Sequence, residues 1–268
     1  MALHQIVDDR RDAIGGVIPS PDWPTGRAAA APMDGVAALR RRFGALDGLP
    51  LLRALLGPDG PLRGRTALVS SFGAESVVLL HMAATVDPAL PVIFLDTGRH
   101  FPETLAYRDQ LVDRLGLTDV RSAYPDRAAL LRYDRAGRLY AQDPDLCCDI
   151  RKTEPLAEAL AEFDAWITGR KRFQGGLRAD LETIEPAPGT DQLKLNPLAR
   201  WGEERIEAYR LAHGLPPHPL VAKGYRSIGC ATCTRPTAPG EHARSGRWSG
   251  LDKTECGIHL PTPYGDNI

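Results

Sequence analysis

Cysteine is scarce in this chain: five residues in 268, and the number is odd. That is too few for a disulfide scaffold, so a reducing, cytoplasmic setting is expected, where cysteines serve more often as metal ligands or nucleophiles than as staples. Net charge is also lacking, since 33 Lys and Arg stand against 34 Asp and Glu. No overall field draws the chain to nucleic acid or to an anionic membrane, and neither is expected as a partner. No apolar run approaches the ~18 residues of a membrane span. The opening residues MALHQIVDDRRD carry mixed charge and none of the apolar stretch of a secretory signal. No repeat recurs at solenoid periods. A Walker lysine and a G-x-G-x-x-G turn are both missing, which disfavours P-loop and Rossmann dinucleotide chemistry.

What is present is enough apolar material for one sizeable core, at 43% of the residues. Residues 1–32 hold Gly15-Gly16, Pro19, Pro21, Pro24 and the run Ala28 to Ala31, and read as a weakly ordered arm. Asp34 is placed to cap a helix carrying Val36, Leu39 and Phe43 at helical spacing, and a second apolar stretch, Leu49 to Leu56, stops at Gly57-Pro58. From Thr66 the pattern becomes short apolar runs alternating with helical ones. Strands are predicted at Ala67–Ser70, Val92–Asp96, Asp119–Ala123 and Ala165–Thr168, with helices over Glu75–Ala84, Pro102–Leu115 and Cys148–Phe163. This is an α/β pattern: a parallel twisted sheet with helices on both faces. Ligands of such sheets sit beyond the carboxyl ends of the strands, where Ser70, Asp96 and Gly169 fall. Residues 33–228 are expected to form this α/β nucleotide-binding domain. Residues 229–268 form a polar C-terminal segment too small to be an independent domain.

Several residue groups carry chemistry. Ser70-Ser71-Phe72-Gly73-Ala74-Glu75-Ser76 reads as an ordinary βα turn with a serine cap, or as small residues meeting an anion at a helix N-terminus. Asp96 and Thr97, at a strand end, can bond a ribose or simply form a turn. Cys147 and Cys148 are adjacent, and Cys230-Ala231-Thr232-Cys233 is a C-x-x-C pair. Together they suggest a four-thiolate metal site. Adjacent side chains on a helix diverge by roughly 100°, which is awkward around one zinc ion and easier for a [4Fe–4S] cluster with separate corners. A thioredoxin-like pair at Cys230/Cys233 and simple packing of Cys147/Cys148 are the plainer alternatives. Cys256 is left over, three residues before His259, as a candidate nucleophile or a free surface thiol. Basic residues cluster at Arg170-Lys171-Arg172 with Arg178, at Arg151-Lys152, and at Arg235, Arg244 and Arg247. They suggest an anion pocket, with solvated faces as the default for charge runs. No aromatic stripe accompanies them as a single-stranded nucleic acid groove would require.

Taken together, the blocks SSFGAES, FLDTGRHFPET, CCDIRKTEPL, WITGRKRFQGGLR, LNPL, SIGCATCTRP, HARSGRW and ECGIH resemble the assimilatory sulfonucleotide reductases, over roughly Thr66 to His259. That is the adenylyl-sulfate and phosphoadenylyl-sulfate reductase family. The resemblance implies an adenine-nucleotide α-hydrolase-like fold with a flexible C-terminal catalytic tail. It implies Cys256 as nucleophile on the sulfur of adenylyl sulfate and His259 as its tail partner. Cys147, Cys148, Cys230 and Cys233 would be ligands of a [4Fe–4S] cluster, as in the subgroup that prefers adenylyl sulfate over its 3′-phosphorylated form. Substrate-binding residues would be Ser70, Ser71, Asp96, Lys152, Arg178, Arg244 and Arg247. Thioredoxin (or glutaredoxin) would be the reductant, and a homo-oligomer is expected. Some cluster-bearing members read Ser-Phe-Ser-Gly-Ala-Glu in the first loop, so the second hydroxyl is displaced in this chain. Alternatives are the same reaction on the 3′-phosphorylated nucleotide, an ATP-dependent sulfur or adenylyl transferase, and a non-enzymatic iron–sulfur or zinc sensor.

Overall fold

The computed structural model describes residues 35–251 and 253–259. The expected arm at 1–32 and the capping role of Asp34 lie outside the described residues. Helix α1 (Val36–Phe43) turns Leu39 and Phe43 inward, and α2 (Gly48–Leu56) buries Leu51, Leu52, Leu55 and Leu56 before Gly57 ends it. The central elements follow: β1 (Thr66–Val69), α3 (Ser76–Val86), β2 (Val92–Leu95), α4 (Pro102–Leu115) and β3 (Val120–Ala123). Helix α4 has the ends its sequence calls for, with Pro102 in the first turn and Gly116 in the left-handed conformation (φ 63°) just past the last.

Two short helices, α5 (Arg127–Tyr133) and α6 (Leu139–Gln142), lead to the first cysteine pair. The helix expected over Cys148–Phe163 is instead three pieces: α7 (Pro144–Cys148), a π-helical turn (Asp149–Thr153) and α8 (Glu154–Leu160). Pro155 has no N–H to give the carbonyl one turn back, and the Glu154 N–H bonds the Asp149 carbonyl, five residues earlier. The wider turn carries Arg151 and Lys152. After β4 (Ala165–Ile167) come two strands absent from the sequence reading, β5 (Ile184–Pro186) and β6 (Leu193–Leu195), and helix α9 (Glu203–Ala212).

The sheet order is β3-β2-β1-β4-β6-β5. All neighbours are parallel except the β5–β6 edge pair, so the expected parallel sheet is present with one antiparallel strand at its edge. Alternate residues face opposite sides. Leu68, Val92, Phe94, Ile167 and Leu195 pack with α2, α3 and α4. Ala67, Ile93, Leu95 and Trp166 pack against Leu156, Ala159 and Leu160 of α8. One face thus carries several helices and the other chiefly α8. From β1 the chain steps outward to β2 and β3, then returns to β4 on the far side of β1. That reversal opens a crevice between the loops after β1 and β4. Asn196 of the LNPL block, fully buried, binds the loops together there: its Oδ1 accepts the Thr168 hydroxyl at 2.6 Å, and its Nδ2 donates to the Glu182 carbonyl at 2.8 Å. Among the described residues no helix is long and apolar enough to cross a membrane.

Fully buried His218 ties α4 to the segment after α9. Its Nδ1 accepts the Leu220 N–H at 3.1 Å, and Nε2 lies 3.1 Å from the Thr104 hydroxyl. Burial pushes its pKa from 6.5 down to about 4, because a second proton would put a charge on a ring shut away from water. The unfolded chain therefore takes up a proton that the folded one refuses. Stability is expected to fall by up to ~3 kcal/mol as pH drops from about 6.5 to about 4. Denaturant melts across that range check it, and His218→Asn should flatten the slope.

Candidate active site

The loops at the crevice enclose a cavity of about 220 Å³, lined by the first loop, the post-β4 loop, the C-x-x-C loop and the tail. In the first loop Phe72 has φ 47°, uncommon for a side-chain-bearing residue, and the Ser70 hydroxyl supports it by accepting the Phe72 N–H at 3.1 Å. Ser70 and Ser71 both line the cavity. Helix α3 has no serine cap: its cap residue is Glu75, whose carboxylate takes the Lys171 ammonium at 2.5 Å. Asp96 is not in the lining. It is a turn former whose carboxylate accepts the Gly98 N–H at 3.0 Å.

The three basic clusters, far apart in sequence, meet in this cavity. Lys152, Arg170, Lys171, Arg178, Arg244 and Arg247 all line it. Three basic residues of the same runs turn elsewhere. Arg151 is buried against Asp134 and the Thr97 carbonyl, Arg172 bonds the Leu181 carbonyl, and Arg235 pairs with Glu241. Most of the pocket cations have a carboxylate. Arg170 pairs with Glu185 at 2.7 Å, and Arg178 grips Glu255 with two nitrogens at 2.5 and 2.7 Å. Arg244 reaches the same carboxylate at 3.3 Å and the Thr254 carbonyl at 3.0 Å. Burial, then the neighbouring Arg178, push Arg244 down to about 10. Among the described residues Lys152 and Arg247 have no carboxylate in ion-pair contact.

Those contacts seat the tail. Glu255 Oε1 also accepts the Cys256 N–H at 2.9 Å, and Lys253 pairs with Asp145. The next turn brings the His259 ring parallel to Trp166, centroids 6.1 Å apart and planes 8° apart. Cys256 is buried in the cavity wall. A hydrogen bond from the Cys148 thiol holds its thiol well below the usual range; burial opposes this, and the Lys152 and Arg247 cations add to it. His259 stays neutral because burial, and after it Lys194, Arg170, Arg178 and Arg244, disfavour a further positive charge.

Cys147, Cys148, Cys230 and Cys233 line a second, smaller cavity, together with Arg151, Lys152, Arg247 and Trp248. None is in a disulfide. Among the described residues no three His, Cys, Asp or Glu side chains are set to hold a single ion. Thr97 Oγ1 lies 3.4 Å from Cys230 Sγ. Burial pushes the Cys147 thiol up to about 11. Lys152 borders both cavities. Burial works against its charge, but the sulfurs of Cys230, Cys256 and Cys148 hold it above the usual lysine range.

The structure therefore gathers Ser70, Ser71, Lys152, Arg178, Arg244, Arg247, His259 and all five cysteines around two adjoining cavities, whereas Asp96, Thr97, Arg172 and Arg235 line neither. Sequence reasoning missed Glu255, although it adjoins Cys256, because its partner Arg178 lies 77 residues earlier. It also missed Trp166, His100 and Lys194, which look like ordinary strand and turn residues in one dimension.

The open, mostly parallel sheet with its crevice at the strand reversal has the adenine-nucleotide α-hydrolase-like fold, and the tail brings a thiol into that crevice. A family profile described as phosphoadenosine phosphosulfate reductase domain matches residues 65–236, and the chain belongs to that family. It is 53% identical over 229 residues to an adenosine 5′-phosphosulfate reductase of Mesorhizobium japonicum, covering 85% of this chain and 89% of that protein. It is 41% identical to a phosphoadenosine 5′-phosphosulfate reductase of Gloeobacter violaceus, covering 73% of this chain and 82% of that one. Among solved structures, phosphoadenylyl-sulfate reductase from Candida auris in a phosphate complex superposes with TM-score 0.62 at 24% identity, over 75% of this chain and 96% of that one. FMN adenylyltransferase of Candida glabrata gives 0.51 at 18% identity, over 77% of this chain and 67% of that one. At these identities the structural likeness speaks for the fold alone.

Gly229 gives the pocket a testable joint. The Arg247 guanidinium occupies the space a β-carbon on residue 229 would need. In Gly229→Ala a flexible side chain must swing away while the backbone stays put, so melting should shift little. Affinity for an anionic ligand is expected to fall by roughly tenfold, the order of one charge-assisted hydrogen bond. Isothermal titration with AMP checks it.

Proposed function

We propose that this chain reduces adenylyl sulfate to sulfite and AMP. The observation that carries the reading is the placement of Cys256: its thiol is buried in an arginine- and lysine-lined pocket, with the Lys152 and Arg247 cations acting on it, and is held there by the Glu255–Arg178 pair. The names of the relatives, adenosine 5′-phosphosulfate reductases among them, support the same substrate.

The substrate enters as an anion, and Lys152, Arg178, Arg244 and Arg247 match its sulfate and phosphate charge. The Cys256 thiolate attacks the sulfur, an S–S bond forms, and the S–O bond to AMP breaks with its electron pair. The guanidinium groups stabilise the phosphate that leaves. Cys256 then carries an S-sulfonate. A protein dithiol such as thioredoxin attacks the Cys256 sulfur, sulfite departs, and the second thiol of the dithiol frees Cys256 as its partner becomes a disulfide. Two electrons thus come from the dithiol, and such a pair stays reduced in the cytoplasm. A thiol on the tail suits both halves, because it must be shielded during attack and reach a protein afterwards.

Cys147, Cys148, Cys230 and Cys233 would hold a [4Fe–4S] cluster. Four thiols spread around one small cavity, with Arg151, Lys152 and Arg247 on its wall, fit a cluster's separate corners and its negative charge. When bound, the cluster would supply local charge that shapes the field at the pocket. Lys152, bordering both cavities, faces that field and the Cys256 thiol together.

Cys256→Ser is expected to lower sulfite release by about 10³-fold or more while keeping about four irons per chain. An unchanged rate contradicts the mechanism, and stoichiometric zinc without iron contradicts the cluster. Competition between adenylyl sulfate and its 3′-phosphorylated form decides the nucleotide, and preference for the latter overturns the substrate named above.

A further inference from the structure

Lys194 is 1% exposed, and its Nζ has neither a hydrogen bond nor an ion pair among the described residues. It sits on β6 in register with Trp166 of β4, and its ammonium lies 4.4 Å from the centroid of the Trp166 ring. Glu185 stands across from it on β5, but that carboxylate is taken by Arg170. The other charged groups facing Lys194 are Arg170, Arg178 and Glu255. Trp166 lines the main cavity and Lys194 does not, so the lysine's contact with the site is through the indole, while its charge also reaches His259. On that same indole lies the parallel ring of His259, three residues beyond Cys256.

We infer that Lys194 is a positioning residue: its ammonium on Trp166 strengthens the seat on which His259 docks, and so holds the Cys256-bearing tail in the pocket. Parallel rings attract when offset, and what limits that attraction is repulsion between their π clouds. A cation over one ring draws π density toward itself, which lessens the repulsion for a neutral imidazole. The same charge opposes protonation of His259, as a seat for the neutral ring requires. Burial, then Arg170, lower Lys194 to about 7. The seat is therefore charged below neutrality and weakens as pH rises through about 7.

The meaning for turnover rests on Cys256 being the reacting thiol, but the test needs no turnover, so the two readings fail separately. The rate of iodoacetamide labelling of Cys256 is measured in anaerobic holoprotein, with the tail peptide identified by mass spectrometry. The cations acting on this thiol are chiefly Lys152 and Arg247, so its intrinsic reactivity should barely depend on Lys194. Lys194→Met is expected to label about fivefold faster, the order of one cation–ring contact. Its melting temperature should not fall, since a buried unpaired charge is replaced by an apolar chain of similar size. Lys194→Arg should label at the native rate at pH 6. In a His259→Ala background Lys194→Met should add nothing. Native labelling in Lys194→Met, or an undiminished effect without His259, overturns the assignment. The ratio of native to Lys194→Arg labelling should also rise between pH 6 and 8.5, because only the lysine loses its proton. A flat ratio contradicts the inference, whatever the stability of the methionine variant.

Discussion

One carboxylate, that of Glu255, decides how the pocket and the tail fit together. Arg178 and Arg244 are both largely buried and would repel each other across an empty space. Glu255 answers both charges at once, and its own backbone neighbour is Cys256. Burial alone would push Glu255 up, but Arg178 and then Arg244 hold its carboxyl below the usual range, so it stays ionised at neutral pH. The electrostatic need of the pocket and the delivery of the thiol are thus met by the same contact.

Other cations of the pocket follow the same rule with fixed partners, Lys171 with Glu75 and Arg170 with Glu185. Lys152 and Arg247 differ. Their charge faces sulfur rather than carboxylate, with Cys256 on one side and the four-cysteine cavity on the other. Gly229 makes the approach of Arg247 possible by leaving out a side chain. The pocket thus holds two kinds of cation: Arg170, Lys171, Arg178 and Arg244 meet carboxylates, whereas Lys152 and Arg247 face sulfur.

Much of the fold was legible because β1, β2 and β4 are apolar runs and the helices between them carry helical periodicity. The β5–β6 pair was not legible: Ile184-Glu185-Pro186 is three residues long and ends in proline, and such strands are recognised only by the edge they pair with. Helix α9 escaped because Ile206 is its one buried residue, leaving little apolar stripe to read. The π-helical turn depends on what Pro155 withholds from the preceding turn, which periodicity alone does not register. At the site, the cysteines and most of the arginines could be named because their residue types are rare or clustered. Asp96 stands outside the cavity lining, where its carboxylate serves a turn, a role a strand-end aspartate takes as readily as that of a ligand. Glu255, Trp166 and Lys194 are ordinary letters whose roles exist only across long separations in the chain.

The central claim is that Cys256 takes the sulfonyl group. Holoprotein mixed with adenylyl sulfate in the absence of any reductant, then digested and mapped by mass spectrometry, tests it most directly. The account requires the peptide containing Cys256 to gain the mass of one SO₃ group, with one AMP released per modified chain. An unmodified Cys256 beside stoichiometric AMP, or the added group on another cysteine, would contradict it.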